Sequence, residues 1–358
     1  MWEQDFFKDF LVVELASVLA GPAVGLFFAE LGARVVKIEN KTTGGDVTRN
    51  WRVPGEDPKQ VSAYYQHVNM GKEVLFLDLK TQEDQEKAKA LITKADVVLS
   101  NFPEAKAAKM GMSEEILRAL NPSLIFAHLS AFSKTSTRPA FDVVLQAEAG
   151  FLFMTGQPDG PPAKMPVALI DLLASHQLKE GILLAIIRKL QTGQGASVRT
   201  SLLEAAVASL ANQANNWLVA GHIPQRMGSQ HPNIAPYGDI FLTKDDKMVV
   251  LAVGTERHFT GLCEVLGLPD LPRDKRFENN AQRVEHRAHL VTLLEPAIQK
   301  FTRDELLNQL EKKEVPAGAI RTMPEVFELP EAAAMVQSYV LPDGSKRTAL
   351  KTAVFRLE

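Results

Sequence analysis

LVVELASVLAGPAVGLFFAELGARVVKIE, residues 11–39, is the stretch that decides the fold. LVVELA (11–16) is a short run rich in strand-forming residues, and Gly21-Pro22 then breaks the chain. AVGLFFAELG reads as an amphipathic helix ending at Gly32, and RVVKIE (34–39) as a second buried strand. The same rhythm continues through EVLFLDL (73–79), a helical segment near 82–94, DVVLS (96–100) and LIFAHLS (124–130). Strands alternating with helices of this length mean βαβ units and a parallel sheet. Ligands of such sheets lie at the carboxyl ends of the strands.

Working outward, the chain of 358 residues is too long for one simple core. From Ile223 to Tyr237 the composition shifts to Pro, Gly, His and Asn, marking a linker or long functional loop. A strand pair (DIFLT, MVVLAVG) and helices near 255–266, 283–300 and 303–313 follow. The expected organisation is a Rossmann-like parallel α/β domain over 1–222, rejoined by a C-terminal return at 316–358, plus a smaller α+β domain over 223–315. The helices expected at 172–192 and 201–220 are apolar nearly all round, so they should be buried at the sheet or at a subunit interface.

Composition excludes several classes. A formal net charge of −3 argues against nucleic acid or an anionic membrane as the main partner. A single cysteine, Cys263, rules out an internal disulfide and a Cys-based zinc cluster, and suits a reducing cytosol. The opening MWEQDFFKDF lacks the basic region of a signal peptide, and Leu11–Val36 is interrupted by Glu14, Gly21, Pro22, Glu30 and Arg34. The expectation is a cytoplasmic protein with no membrane span.

Generic motifs are missing. The turn after the first strand holds AGPAVG rather than GxGxxG, and neither GxxxxGK[ST], GxSxG nor HExxH occurs. His286 and His289, three apart on a polar helix, read as solvated, and no metal site is expected. Asp171 opens the apolar run VALIDLLASHQLKEGILLAIIRKL (167–190), and taken alone it reads as a helix N-cap.

Five strings in order carry more information than any one motif. LAGPAVGLFFAELGARVVKIE (19–39), GDVTR (45–49), LDLK (77–80), ADVVLSNF (95–102) and MPVALIDLLASHQLKEGILLAIIRKLQTGQG (165–195) resemble the class III coenzyme A transferases, the CaiB/BaiF or formyl-CoA transferase family. HPNIAPY (231–237) and VPAGAI (315–320) extend the resemblance over nearly the whole chain. It implies an intertwined homodimer that uses coenzyme A, as an acyl-CoA, as a substrate with no permanently bound cofactor. The other partner is a carboxylic acid that accepts the CoA. It further implies that Asp171 is the nucleophile, taking the acyl group from the thioester and then carrying CoA as an aspartyl thioester.

By the same resemblance Leu77 and Lys80 would lie beside the adenine and phosphate end of CoA. Asn101 and Phe102 would follow the coenzyme further along, with Lys109 and Met110 closing one side. Three positions depart from the family. Asn40 stands where many members have Arg, leaving Lys41 as a substitute point charge. NFPEA replaces NFRPG, and Leu19 takes the place of a Gln, which suggests a larger or less polar acyl or acceptor group. The rival of the same fold is an α-methylacyl-CoA racemase, whose acid–base pair needs a His where RPAFDVVLQ has Phe141; His128 and His176 are the substitute bases to consider. A non-catalytic CoA-binding protein of this fold is the rival from another class.

Overall fold

A computed structural model describes residues 6–133, 136, 138–340 and 346–356. The first five residues of the MWEQDFFKDF opening thus lie outside the described residues. The chain divides into two compact units, residues 1–151, 165–223 and 334–358 forming the first and 152–164 and 224–333 the second.

The first unit is built on a parallel sheet of β1 (Leu11–Glu14), β2 (Arg34–Asn40), β3 (Glu73–Leu77), β4 (Val97–Ser100), β5 (Ile125–Ser130) and β6 (Ala196–Ser201), in the order β3-β2-β1-β4-β5-β6. Every neighbouring pair is parallel. Strand side chains alternate between two cores. Val12, Val35, Val97, Leu99 and Ile125 pack on one face, and Val13, Ile38, Val98 and Phe126 on the other. Burial on both faces is why these strands read as continuous apolar runs.

The first face is covered by α1 (Ala20–Glu30), which starts at Ala20 and so takes Gly21-Pro22 into its first turn. Proline is tolerated there because the first-turn amides have no intrahelical acceptor. α2 (Ala63–Asn69) follows β2, and α3 (Gln82–Ile92), α4 (Glu104–Lys109) and α5 (Glu114–Leu120) supply the second face. α6 (Asp142–Glu148) and the single turn α7 (Phe151–Met154) precede the long α8 (Leu169–Thr192). The second expected helix is divided into α9 (Leu202–Ala208) and α10 (Ala211–Ala220), the latter starting at Ala211 with φ 49°.

Within the single chain, burial of these last helices is one-sided, and the sheet accounts for at most one face of each. Ile170, Ala174, Leu178, Ile182 and Ala185 of α8 face the core. Leu184 and Leu190 are 68% and 82% exposed, and Leu218 and Val219 of α10 are 74% and 83% exposed.

The second unit holds the antiparallel strands β7 (Tyr237–Leu242), β8 (Met248–Ala252) and β9 (Ala317–Ala319), with α11 (Glu256–Leu266), α12 (Asn280–Glu285), α13 (Arg287–Ile298) and α14 (Arg303–Lys312). Two boundaries differ from the sequence reading. β9 pairs with β8, so the chain returns to the first unit at Ala334 rather than at 316. Residues 152–164 also join the second unit, where the Gly228 amide donates to the carbonyl of Gly156 at 2.8 Å. β10 (Val336–Val340) and β11 (Lys346–Leu350) then form a hairpin within the first unit.

Candidate active site

In this strand order the connections run to opposite sides between β1 and β4, which opens a crevice at their carboxyl ends. The loop after β1 is held from behind by a buried ionic network. The Lys37 ammonium donates to Glu14 Oε1 at 2.8 Å and to the Ala16 carbonyl at 2.9 Å, and lies 3.1 Å from Asp46 Oδ2. Lys72 donates to Glu14 Oε2 at 2.7 Å and to the Pro22 carbonyl at 2.7 Å. Burial pushes the Glu14 carboxyl up, but Lys37 and Lys72 together hold it below its usual range. Gly25 is required beside it, since a Cβ there would meet Glu14 Oε2 at 2.0 Å.

The network fixes the loop's shape. Asp46 Oδ2 accepts the amide of Val18, a β-branched residue held at φ 74°, in the left-handed region. The Asn101 amide group, just beyond β4, donates to the Ser17 carbonyl at 3.2 Å. The GDVTR string has the same origin. Asp46 also caps the turn at Thr48, and Arg49 and Tyr65 both bond the buried Glu39. Glu39 is thereby a structural anchor.

A cleft of about 140 Å³ lies over this loop, lined among others by Val18, Leu19, Asn101, Ser130, Phe141 and Asp171. Asp171 is in the first turn of α8 and 7% exposed. It is not the cap of that helix. The first-turn amides of Ile170 and Asp171 donate instead to Asp142 Oδ1, at 2.7 and 3.3 Å. Among the described residues no group donates to the Asp171 carboxylate.

A carboxylate capping its own helix would be held ionised by the first-turn amides, and Asp171 lacks that support. Burial, with the Asp142 charge adding, pushes the Asp171 carboxyl up to about 7. The amides that would have stabilised the anion are spent on Asp142. Between roughly pH 4 and 7 the folded protein therefore holds a proton that the unfolded chain has lost. Stability should fall as pH rises through that window. Asp171→Asn, which cannot ionise, is expected to exceed the wild type by on the order of 3 kcal/mol at pH 8 and to match it at pH 4. Urea unfolding at the two pH values measures this, and a difference independent of pH would contradict it.

The remaining candidates spread along the carboxyl edge of the sheet. Asn40 ends β2 opposite Leu77 at the end of β3, and Asn101 and Phe102 follow β4. Of the coenzyme candidates only Asn101 shares the cleft with Asp171. Leu77 and Met110 are buried in the second core, with Phe102 packed on it. Lys80 and Lys109 are exposed, and no ion pair involves either among the described residues. Lys41 is not the free substitute charge the sequence suggested. Its ammonium is 2.5 Å from Asp84 Oδ2, so a carboxylate already answers it.

The racemase reading finds no base here. No histidine lines the cleft among the described residues. Phe141 is on its wall, and its ring lies 6.0 Å from Trp51, which is 5.2 Å from Tyr64. His128 is buried with Nε2 3.0 Å from the Phe102 carbonyl, and His176 is exposed on α8. Sequence reasoning gave no role to Asp142, Trp51 or Tyr64. The only local signal was the acid beside Phe141, and its partner is 28 residues away.

Residues 7–358 match the model of CoA-transferase family III. Among curated proteins the chain is 38% identical over 330 residues to the succinate–glutarate CoA-transferase of Agrobacterium fabrum, covering 90% of this chain and 82% of that one. It is 35% identical over 332 residues to the acetyl-CoA:oxalate CoA-transferase of Acetobacter aceti, covering 92% and 84%. Among solved structures, a CaiB/BaiF family protein from Brucella suis superposes with a TM-score of 0.83 at 36% identity, over 98% of this chain and 92% of that one. With an acid in a cleft at the carboxyl ends of a parallel sheet and a family match along nearly its whole length, the chain belongs to CoA-transferase family III and is a class III CoA-transferase.

Proposed function

We propose that the enzyme moves coenzyme A from the thioester of a small dicarboxylic acid to a second carboxylic acid, with Asp171 as the covalent carrier. The observation that carries this reading is the Asp171 carboxylate itself, buried in the cleft, without a hydrogen-bond donor among the described residues, on a helix whose amides another residue occupies. The substrate class follows the names of the relatives, which include succinate–glutarate and acetyl-CoA:oxalate CoA-transferases.

An ionised Asp171 oxygen attacks the thioester carbonyl, the carbon–sulfur bond breaks, and CoA leaves as its thiolate. The thiolate attacks the Asp171 carbonyl of the resulting mixed anhydride and releases the donor acid, so that Asp171 now carries CoA as a thioester. The acceptor carboxylate attacks that thioester, giving a new anhydride and thiolate. Attack of the thiolate on the acceptor's carbonyl yields the new acyl-CoA and restores the Asp171 carboxylate. No proton is needed in the exchange, and the thioester energy is conserved throughout. A buried, unpaired carboxylate suits the first step, because it carries no hydrogen bonds that must be broken before it attacks.

Coenzyme A would run from the cleft past Asn101 and Phe102 along the carboxyl edge toward Asn40, Leu77 and Lys80, with Lys109 and Met110 at its side. Lys41 would reach a phosphate only by releasing Asp84. Leu19, in place of a polar residue, gives the acyl pocket an apolar wall. No helix among the described residues is long and apolar enough to cross a membrane, and the buried Cys263, its thiol pushed up to about 12 by burial, is suited to a reducing cytoplasm.

Intact-protein mass spectrometry after mixing with succinyl-CoA, glutaryl-CoA or oxalyl-CoA tests the carrier. An acyl or CoA adduct, released by hydroxylamine and absent from Asp171→Ala, is expected; an adduct that survives in the variant rules Asp171 out. The exposed apolar faces of α8 and α10 support a homodimer. Sedimentation should give twice the chain mass, and a Leu184→Glu/Leu218→Glu variant should shift toward monomer.

A further inference from the structure

We infer that Asp142 is the positioning residue of this site: it holds the first-turn amides of α8, keeps Asp171 from turning back onto its own helix, and sets a second carboxyl charge beside it. The inference rests on the reading of Asp171 as the covalent carrier.

The geometry is specific. Asp142 is itself the first residue of α6 and is buried. Its Oδ1 accepts from Ile170 at 2.7 Å and from Asp171 at 3.3 Å, and its Oδ2 accepts from Gln146 Nε2 at 2.5 Å. Gln146 is fully buried and uses its other end to accept the Met165 amide at 2.9 Å. Asp142 and Gln146 therefore tie the start of α8, and the segment leading into it, to α6.

An acid in the first turn of a helix would ordinarily bond nearby free amides. With those amides answered from outside, the Asp171 side chain has no local acceptor role and stays in the cleft. Among the described residues, the groups facing it are few. Asp142 comes from α6 and Tyr64 from α2, the latter pushed up to about 12 by burial with Asp171 and Asp142 adding. The loops after β1 and β4 present Ser17, Val18, Leu19 and Asn101, which carry no charge, and α9 presents Leu202. After burial itself, the Asp142 charge is what raises the proton affinity of Asp171 further.

Two substitutions separate capping from charge. Asp142→Asn keeps an acceptor for the amides and removes the charge. The pH of half-maximal rate for adduct formation with succinyl-CoA should move down by about one unit. Asp142→Ala also frees the amides to recruit Asp171, and the adduct rate should fall about tenfold or more at every pH. Carboxyl carbon-13 titration of Asp171, assigned by its loss in Asp171→Asn, reports the same charge effect without turnover. Circular dichroism and thermal unfolding confirm that each variant is folded.

Adduct formation whose acid limb, together with the Asp171 titration, stays put in Asp142→Asn overturns the inference. A wild type that forms no adduct overturns the carrier reading instead. If the Asp171 titration nonetheless moves in Asp142→Asn, the electrostatic role of Asp142 stands without it. Asp142→Ala with wild-type rates would refute the positioning role directly.

Discussion

Asp171→Ala is expected to reduce CoA transfer by about four orders of magnitude or more, corresponding to roughly 5 kcal/mol or more of lost transition-state stabilisation. The loss should appear in kcat, because the proposed role of the side chain is on the bond being broken rather than on the bulk of the coenzyme. Binding of CoA, measured by calorimetry, should change by less than about tenfold, since Asn101 and the carboxyl edge of the sheet are untouched. Asp171→Asn should be nearly as inactive, because an amide cannot replace the carboxylate nucleophile. Asp171→Glu keeps the charge but displaces the oxygen by one methylene, and should retain at most about one hundredth of the rate. Wild-type turnover in Asp171→Ala would leave the acid as a structural residue and remove the chemistry built on it.

Lys37→Met should cost about 3–5 kcal/mol of stability, the effect expected when one partner of a buried ionic network is removed. Lys37 is 1% exposed and lies between Glu14 and Asp46. Its loss leaves Asp46 without its ammonium and Glu14 with Lys72 alone. Methionine matches the stem of lysine but answers neither carboxylate. Adding Asp46→Asn should return part of the loss, as that change removes the uncompensated charge while preserving an acceptor for the Val18 amide. Denaturant midpoints of the two variants decide the matter. A single variant as stable as the wild type would mean that the network contributes nothing to the fold. Because Asp46 also holds the loop beneath the cleft, activity should fall in Lys37→Met even at temperatures where the protein stays folded.

The parallel sheet was legible because its central strands are buried on both faces, so Val12 and Val13 or Val97 and Val98 are equally apolar although they belong to opposite cores. The place of the candidate cleft followed, since strand order opens a crevice at the carboxyl ends. Asp171 itself looked like a helix cap, and only the pattern of five strings suggested otherwise. The residue that does cap α8, Asp142, could not be read from sequence, for nothing local announces a hydrogen bond to an amide 28 residues away. The same holds for Lys41 and Asp84, 43 residues apart. The return of the chain at Ala334 was hidden by a three-residue strand, AGA, which carries no propensity signal and is recognised only through its pairing with β8.

The left-handed turn at Val18 bears on how such an enzyme can change over time. Its backbone is secured from below by Asp46, Asn101 and, through the Ala16 carbonyl, Lys37. None of these fasteners involves the Leu19 side chain, which lines the cleft. A mutation at position 19 can therefore alter the pocket wall while the loop beneath keeps its course. Inheritance of the scaffold and exploration of new substrates are separated at a single peptide unit, and a lineage can try one acid after another without renegotiating its fold.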